Sequence, residues 1–210
     1  MTSVAESEPD DASSTATRPD PPDVTDLNAG QRRRRGQIVD AAVALMLSTE
    51  YDRIQMRDVA ADAGVALGTT YRYFVSKEHL MAEALLLWSS RFPALSPPER
   101  EQPTVKQLKS VFRRAARAFA PHPTVYGTNM ALQGTSDPWA ASVYRQFGEN
   151  QQASFGEHLP RVPSPQREQI IAVMSAVLDT ELRSWARGHQ PIDGVYTAID
   201  HAATLLIPNE

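Results

Sequence analysis

Residues 166–187 carry Ile170, Met174, Leu178, Leu182 and Trp185 along one face of a 3.6-residue repeat. A second row, Ala172, Ala176, Thr180 and Ser184, runs beside it at spacing i, i+4. Only a helix brings both rows to a surface, and a row of small side chains lets another helix approach closely. The same period recurs through the chain, interrupted by proline and glycine. No segment alternates convincingly with period two. The pattern predicts an all-α fold.

Upstream, the stripe Ile38, Ala42, Leu45 and Met46 predicts a helix from Gly36 to about Ser48. "MRDVAADAG" reads as a two-turn helix with Met56, Val59, Ala60 and Ala63 inward and Gly64 as its stop. A third short helix follows, in which Val65, Thr70 and Phe74 face the first two. A fourth begins after Ser76, a suitable N-cap, with Leu80, Ala84 and Trp88 as its stripe. "FPALSPPE" reads as a linker. Further helices are expected over 104–120, 124–134, 138–159, 166–187 and 192–207, with Pro138 in a first turn and "PHP" as a stop. There is no internal repeat.

Residues 1–30 hold seven acids and one arginine, no aromatic residue and no apolar period, which predicts a disordered acidic tail. The whole chain has a formal charge of −4, so residues 31–210 sum to +2. An acidic total therefore does not argue against a nucleic-acid partner. "QRRRRGQ" follows the tail directly. Arg32, Arg33, Arg34 and Arg35 are either a solvated charge run or an arm that touches phosphates, which the tail could screen when DNA is absent. The chain has no cysteine, which excludes disulfides, thiolate metal sites and cysteine nucleophiles. No signal peptide opens it, and no apolar run reaches the roughly 20 residues of a membrane helix. A soluble, cytoplasmic protein with no membrane partner is expected.

"VALGTTYRYFVSKEHL", residues 65–80, crowds hydroxyls and rings into less than two turns. Three short helices with the tight "AGVALG" between the second and third describe a helix-turn-helix. Its second helix must keep one side apolar against its scaffold and present short or planar groups on the other. Gly68 permits close backbone approach. Thr69, Tyr71 and Tyr73 offer hydroxyls, and Leu67 and the Tyr71 ring can meet a thymine methyl. Lys77 joins a helix N-terminus, itself favourable to phosphate.

Residues 36–85, and "GTTYRYFVSKEHL" above all, closely resemble the DNA-binding domain of the tetracycline-repressor (TetR) family. The resemblance implies base reading by Leu67, Gly68 and Thr69, and groove and phosphate contacts by Tyr71, Tyr73 and Lys77. Two positions depart from the family pattern. Gln55 stands where Thr or Ser is common, and Ala66 where Ser is, so those contacts are not carried over. The resulting division is tail 1–30, helix-turn-helix 31–80, and a C-terminal effector-binding and dimerisation domain 81–210. "LLLWSSRF", "TSDPWAASVYRQFGENQQASF", "IAVMSAVLDTELRSWARG" and "AATLLIPNE" are more diffusely similar to actinobacterial members that repress steroid catabolism. That similarity implies a steroid acyl-CoA thioester or a related steroid acid as effector.

Phe92, Tyr126, Met130, Trp139, Tyr144, Phe147, Phe155, Met174, Leu178 and Trp185 either line an apolar cavity or form ordinary core. As a set they are larger and more adaptable than a small bundle needs. The five histidines show no metal-ligand pairing and read as surface or capping groups. No metal or cofactor is expected. GxGxxG, P-loop, GxSxG, HExxH and paired-cysteine motifs are missing, which argues against an enzyme. The expectation is a homodimer on a palindromic operator, its last two helices paired as a four-helix interface, released by an apolar effector. The alternative is a DNA-binding regulator with no small-molecule ligand, gated by a partner or architectural.

Overall fold

The computed structural model describes residues 20–91 and 104–208. These residues form nine α-helices and two short 3-10 turns, with no strand among them. The helices are α1 (Ala29–Ser48), α2 (Met56–Asp62), α3 (Leu67–Tyr73), α4 (Lys77–Ser90), α5 (Thr104–Phe119), α6 (Pro123–Gln133), α7 (Pro138–Glu157), α8 (Ser164–Ala186) and α9 (Ile192–Leu206). Boundaries expected from periodicity and proline placement lie within two or three residues of these, except at the start of α1.

That helix begins seven residues before Gly36. The Asn28 side chain accepts from the Gln31 N–H at 3.0 Å, and the Gln31 side chain accepts from the Asn28 N–H at 2.9 Å. This reciprocal capping box satisfies two otherwise orphaned donors. Residues 29–37 contain no apolar residue larger than alanine, so an apolar stripe could not reveal them. Ordered structure starts earlier still. A 3-10 turn spans Val24–Asp26, and Leu27 is buried, inside the stretch assigned to the acidic tail.

Local chemistry sets the other ends as well. Gly64, at φ +64°, takes the left-handed conformation that separates α2 from α3. The Ser76 hydroxyl accepts from the His79 N–H at 2.9 Å and starts α4. Asp137 accepts from the Ala140 N–H at 2.8 Å and starts α7, with Pro138 in its first turn.

The first three helices pack around Ile38, Val39, Ala42, Met46, Ile54 and Val59. Phe74 closes this unit from below, fully buried; truncating such a side chain costs about 3–5 kcal/mol. Helix α4 lies against α1 on one side and along α7 on the other. It runs unbroken through residue 80, and Met81, Ala82, Ala84 and Leu85 are buried. The N-terminal unit and the C-terminal helices are thus joined by a shared helix across the expected boundary. The apolar core continues without interruption through Trp88, Phe119 and Tyr126 to Met174, Leu182 and Ile199. Helices α8 and α9 pack on one another, with α5 across both. No described helix is long and apolar enough to cross a membrane.

One histidine differs from the expectation that all five are surface or capping groups: His79 is 4% exposed and lies inside the first turn of α4. His158, though 7% exposed, is the C-cap of α7. His79 is placed inward because α4 presses its first turn against α7.

Candidate nucleic-acid interface

Helix α3 has seven residues, so it is roughly 10 Å long. Thr70 and Tyr73 hold it from beneath, with Phe74 at its end. Its outer side presents Leu67 at 41% exposure, Gly68, and Tyr71 at 37%, with Thr69 half-buried beside them. Leu67 and Tyr71 thus leave more than a third of their surface open on a helix of only two turns. Gly68 sharpens this: a Cβ built there meets nothing within 4 Å. Nothing inside the molecule needs a glycine at that position.

Tyr73 departs from its expected place in the groove. It is 2% exposed, and its hydroxyl accepts from Arg72 Nη2 at 3.0 Å. The Arg72 guanidinium also lies 5.0 Å from the Tyr73 ring centroid. Period three explains the difference: Tyr73 is three residues after Thr70, on the inward side of the helix. Arg72, which the reading from hydroxyls and rings passed over, is exposed and is the one formal charge on α3.

Lys77 sits at the first position of α4. Its ammonium donates to the Tyr51 carbonyl oxygen at 2.7 Å and lies 4.0 Å from the Tyr51 ring centroid. An ammonium has three donors, so this bond fixes its direction without exhausting it. Burial, with the negative charge of Glu78 adding to it, pushes the Tyr51 hydroxyl well above its ordinary pKa and keeps the ring neutral.

The four arginines are not an arm; all lie within the first turns of α1. Arg32 donates to the Leu27 carbonyl oxygen and tethers the preceding segment. Arg35 pairs with Glu83 of α4 at 2.5 Å and stands 5.0 Å from the Phe74 ring centroid. Both members of that pair are largely buried, at 16% and 20% side-chain exposure, so Arg35 braces the fold. Arg33 and Arg34 are exposed.

Among the C-terminal helices a cavity of about 210 Å³ opens between α6, α7 and α8. Tyr126, Tyr144, Phe147, Phe155 and Leu178, which the sequence left open between cavity and core, line it. Met130, Met174, Trp139 and Trp185 are not among its lining residues. Met174 is fully buried core, Met130 and Trp185 are half-buried against that core, and Trp139 stacks on His79 near the N-terminal unit. Phe92 lies outside the described residues. The cavity also has a polar side that apolar patterning could not reveal: Asn129, Gln133, Gln151, Gln152 and Asp179. The Tyr126 hydroxyl lies 2.8 Å from both Asp179 Oδ1 and the Asp179 carbonyl oxygen. Gln133 donates to Asp179 at 2.6 Å, and Arg183 does so at 2.8 Å. Burial opposes ionisation of Asp179, but these bonds outweigh it and hold its carboxyl below the usual range. Tyr144 donates to Asn129 Oδ1 at 3.1 Å. A wider cleft of about 560 Å³ between α7 and α8 shares Gln152 with the cavity. No group of three metal-ligating side chains comes together among the described residues.

Residues 38–84 match the family model described as bacterial regulatory proteins, tetR family. The HTH-type transcriptional repressor KstR of Mycobacterium tuberculosis is 30% identical over 183 residues, covering 86% of this chain and 83% of that protein. KstR of Rhodococcus jostii is 28% identical over 180 residues, 84% of each chain. A TetR transcriptional regulator from Rhodococcus sp. RHA1 superposes with a TM-score of 0.68 at 26% identity, covering 87% of this chain and 99% of that one. FadR of Bacillus subtilis, solved in complex with stearoyl-CoA, superposes with a TM-score of 0.64 at 18% identity, over 83% of this chain and 98% of that one. The latter likeness is one of fold.

Proposed function

The chain belongs to the tetR family of bacterial regulatory proteins, and from that premise we propose that it is a ligand-responsive repressor that binds a palindromic operator as a homodimer. The observation that carries the reading is the outer side of α3. Leu67 and Tyr71 are exposed around a glycine for which the chain itself has no steric use. A helix presented in this way suits a major groove, where small and planar groups reach base edges. Leu67, Gly68, Thr69 and Tyr71 read or line the groove, and Lys77, steered by Tyr51, meets a phosphate. Arg33, Arg34 and Arg72 add positive charge; Tyr73 supports the helix from beneath.

Dimerisation is supported by what α8 and α9 leave uncovered. Ala172, Ala176 and Thr180 are exposed together with Val173 at 47%, and Leu205 on α9 is 80% exposed. Small and apolar residues in that arrangement suit a second copy of the same face, giving a four-helix interface. A twofold dimer presents two α3 helices to half-sites about one turn of DNA apart.

The effector occupies the cavity between α6, α7 and α8. At about 210 Å³ the cavity is smaller than most ligand sites, so a large guest extends into the adjoining cleft past Gln152. Its apolar wall and amide-rich side suit an acyl-CoA thioester whose acyl part is mostly hydrocarbon. A steroid acyl group is the form favoured by the sequence similarity to repressors of steroid catabolism. The test is fluorescence anisotropy on DNA from upstream of the protein's own gene, titrated with steroid acyl-CoA, fatty acyl-CoA and free sterol. Release by the steroid thioester alone supports the full reading. Salt-sensitive binding with no release by any of them favours a regulator without a small-molecule ligand. No salt-sensitive binding to any duplex overturns the proposal.

A further inference from the structure

Tyr126, Asn129 and Gln133 follow one another along a single face of α6, and all of them line the cavity between α6, α7 and α8. The outer two are engaged. Tyr126 gives its proton to Asp179, and Gln133 donates to Asp179 at 2.6 Å while its Oε1 accepts from Arg183. Asn129, between them, is not. Its Oδ1 accepts from the Tyr144 hydroxyl of α7 at 3.1 Å, but its Nδ2 meets no acceptor among the described residues. The residue is only 6% exposed, so bulk water does not supply one.

Proton counting decides which end of this carboxamide faces the cavity. Burial pushes the Tyr144 phenol above its ordinary pKa, so the hydroxyl keeps its proton. Among the described residues that proton is donated to Asn129 Oδ1. The amide oxygen is thereby held toward α7, and both N–H groups of Nδ2 are left over. Nδ2 is not sealed within the protein: it keeps open surface, on the cavity that Asn129 lines. Phe119, Phe147, Phe155 and Leu178 share that space and have no side-chain oxygen to offer. A buried amide donor without an acceptor is destabilising and rarely left so.

We infer that Asn129 determines effector specificity by donating from Nδ2 to a carbonyl oxygen of an otherwise apolar guest, with Tyr144 positioning the amide. The inference deepens the proposed function and rests on it in taking this cavity as the effector site. A carbonyl suits the position because it brings an acceptor and no proton. A hydroxyl would arrive with a proton to place, beside an Asp179 that already accepts from Tyr126, Gln133 and Arg183. A plain hydrocarbon would leave Nδ2 unpaired.

The probe that tests this is prodan, a compact naphthalene dye bearing a propionyl group. Its emission moves to longer wavelength when the carbonyl oxygen accepts a hydrogen bond. The control is its propyl counterpart, identical except that a methylene replaces the carbonyl. Both are titrated into the full chain without DNA, as wild type, Asn129→Leu and Asn129→Asp. Leucine keeps the volume and has no donor. Aspartate keeps the shape and the bond from Tyr144 but presents only oxygen, and it serves alone if thermal melts show the leucine variant unfolded. The affinity ratio of prodan to its propyl counterpart is expected to fall about tenfold in either variant. Bound prodan is expected to emit at longer wavelength in the wild type than in the variants. An unchanged ratio, or the same emission in every protein, overturns the inference and leaves Asn129 with a water molecule. A ratio that rises in Asn129→Leu overturns it too, because the amide oxygen then faces the guest. If the wild type binds neither dye, the effector part of the proposed function fails first, and the inference falls with it.

Discussion

Gly68 separates what the fold needs from what a partner needs. A glycine inside a helix costs about 0.5–1 kcal/mol relative to alanine, and the space around this one is open. Gly68→Ala is therefore expected to leave the melting temperature unchanged or raise it slightly, while DNA affinity falls tenfold or more because a methyl group meets base edges. Thermal melts beside anisotropy decide it: unchanged affinity would remove α3 from the groove. Lys77 needs a different readout. Lys77→Ala removes a cation–π contact with Tyr51 worth about 0.5–1 kcal/mol as well as the proposed phosphate contact. Stability alone is thus ambiguous, but the slope of log affinity against log salt is not. It should become shallower by about one contact, equally on all sequences. His79 yields a pH prediction. Burial, with Arg35 adding to it and Glu83 and Asp137 opposing it, lowers its pKa below the ordinary 6.5. The unfolded chain then binds the proton that the folded chain refuses, so stability falls as pH drops below about 6.5. Melting temperatures from pH 7.5 to 5.5 should decline in the wild type and decline less in His79→Gln. Equal slopes would place the titrating group elsewhere.

At the scale of elements, most of this fold was readable because each helix announces itself twice, by an apolar stripe and by a terminator. Ser76, Asp137, Pro138 and Gly64 all stand where the chain turns, and the structure uses each as expected. The start of α1 was hidden because its opening turns bury nothing large, leaving the capping box of Asn28 and Gln31 as the only signal. That error carried the arginines with it. Read as an extended arm they all face phosphate, but on a helix Arg35 turns inward to Glu83 while Arg33 and Arg34 stay outside. Tyr73 failed for the related reason that a hydroxyl in a sequence says nothing about which side of the helix bears it. Of the cavity, sequence reached the rings of Tyr126 and Phe147 but not the Asp179 network, whose members come from two different helices, α6 and α8. Periodicity identifies a buried face without saying which helix will oppose it.

At the scale of the whole molecule, the proposed dimer determines whether two short α3 helices can hold an operator at all. One protomer turns outward only one side of a seven-residue helix, too small a surface to compete with nonspecific sites, whereas linking two heads would raise affinity by roughly 10²–10⁴ without any new contact. The interface proposed on α8 and α9 would therefore be part of the DNA site in energetic terms, although it touches no base. Val173 offers a clean test because it is 47% exposed in the single chain. A surface change of that kind normally alters stability by less than about 0.5 kcal/mol. Val173→Glu should therefore leave the protomer folded while placing like charges face to face across the twofold axis. The expected result is a shift to monomer in sedimentation, far-ultraviolet circular dichroism unchanged, and operator affinity lowered by at least about a hundredfold. Half-site affinity should stay the same, since α3 is untouched. A variant that remains dimeric would move the interface off this face of α8. One that becomes monomeric yet holds the full operator as tightly as the wild type would mean that the two heads bind independently.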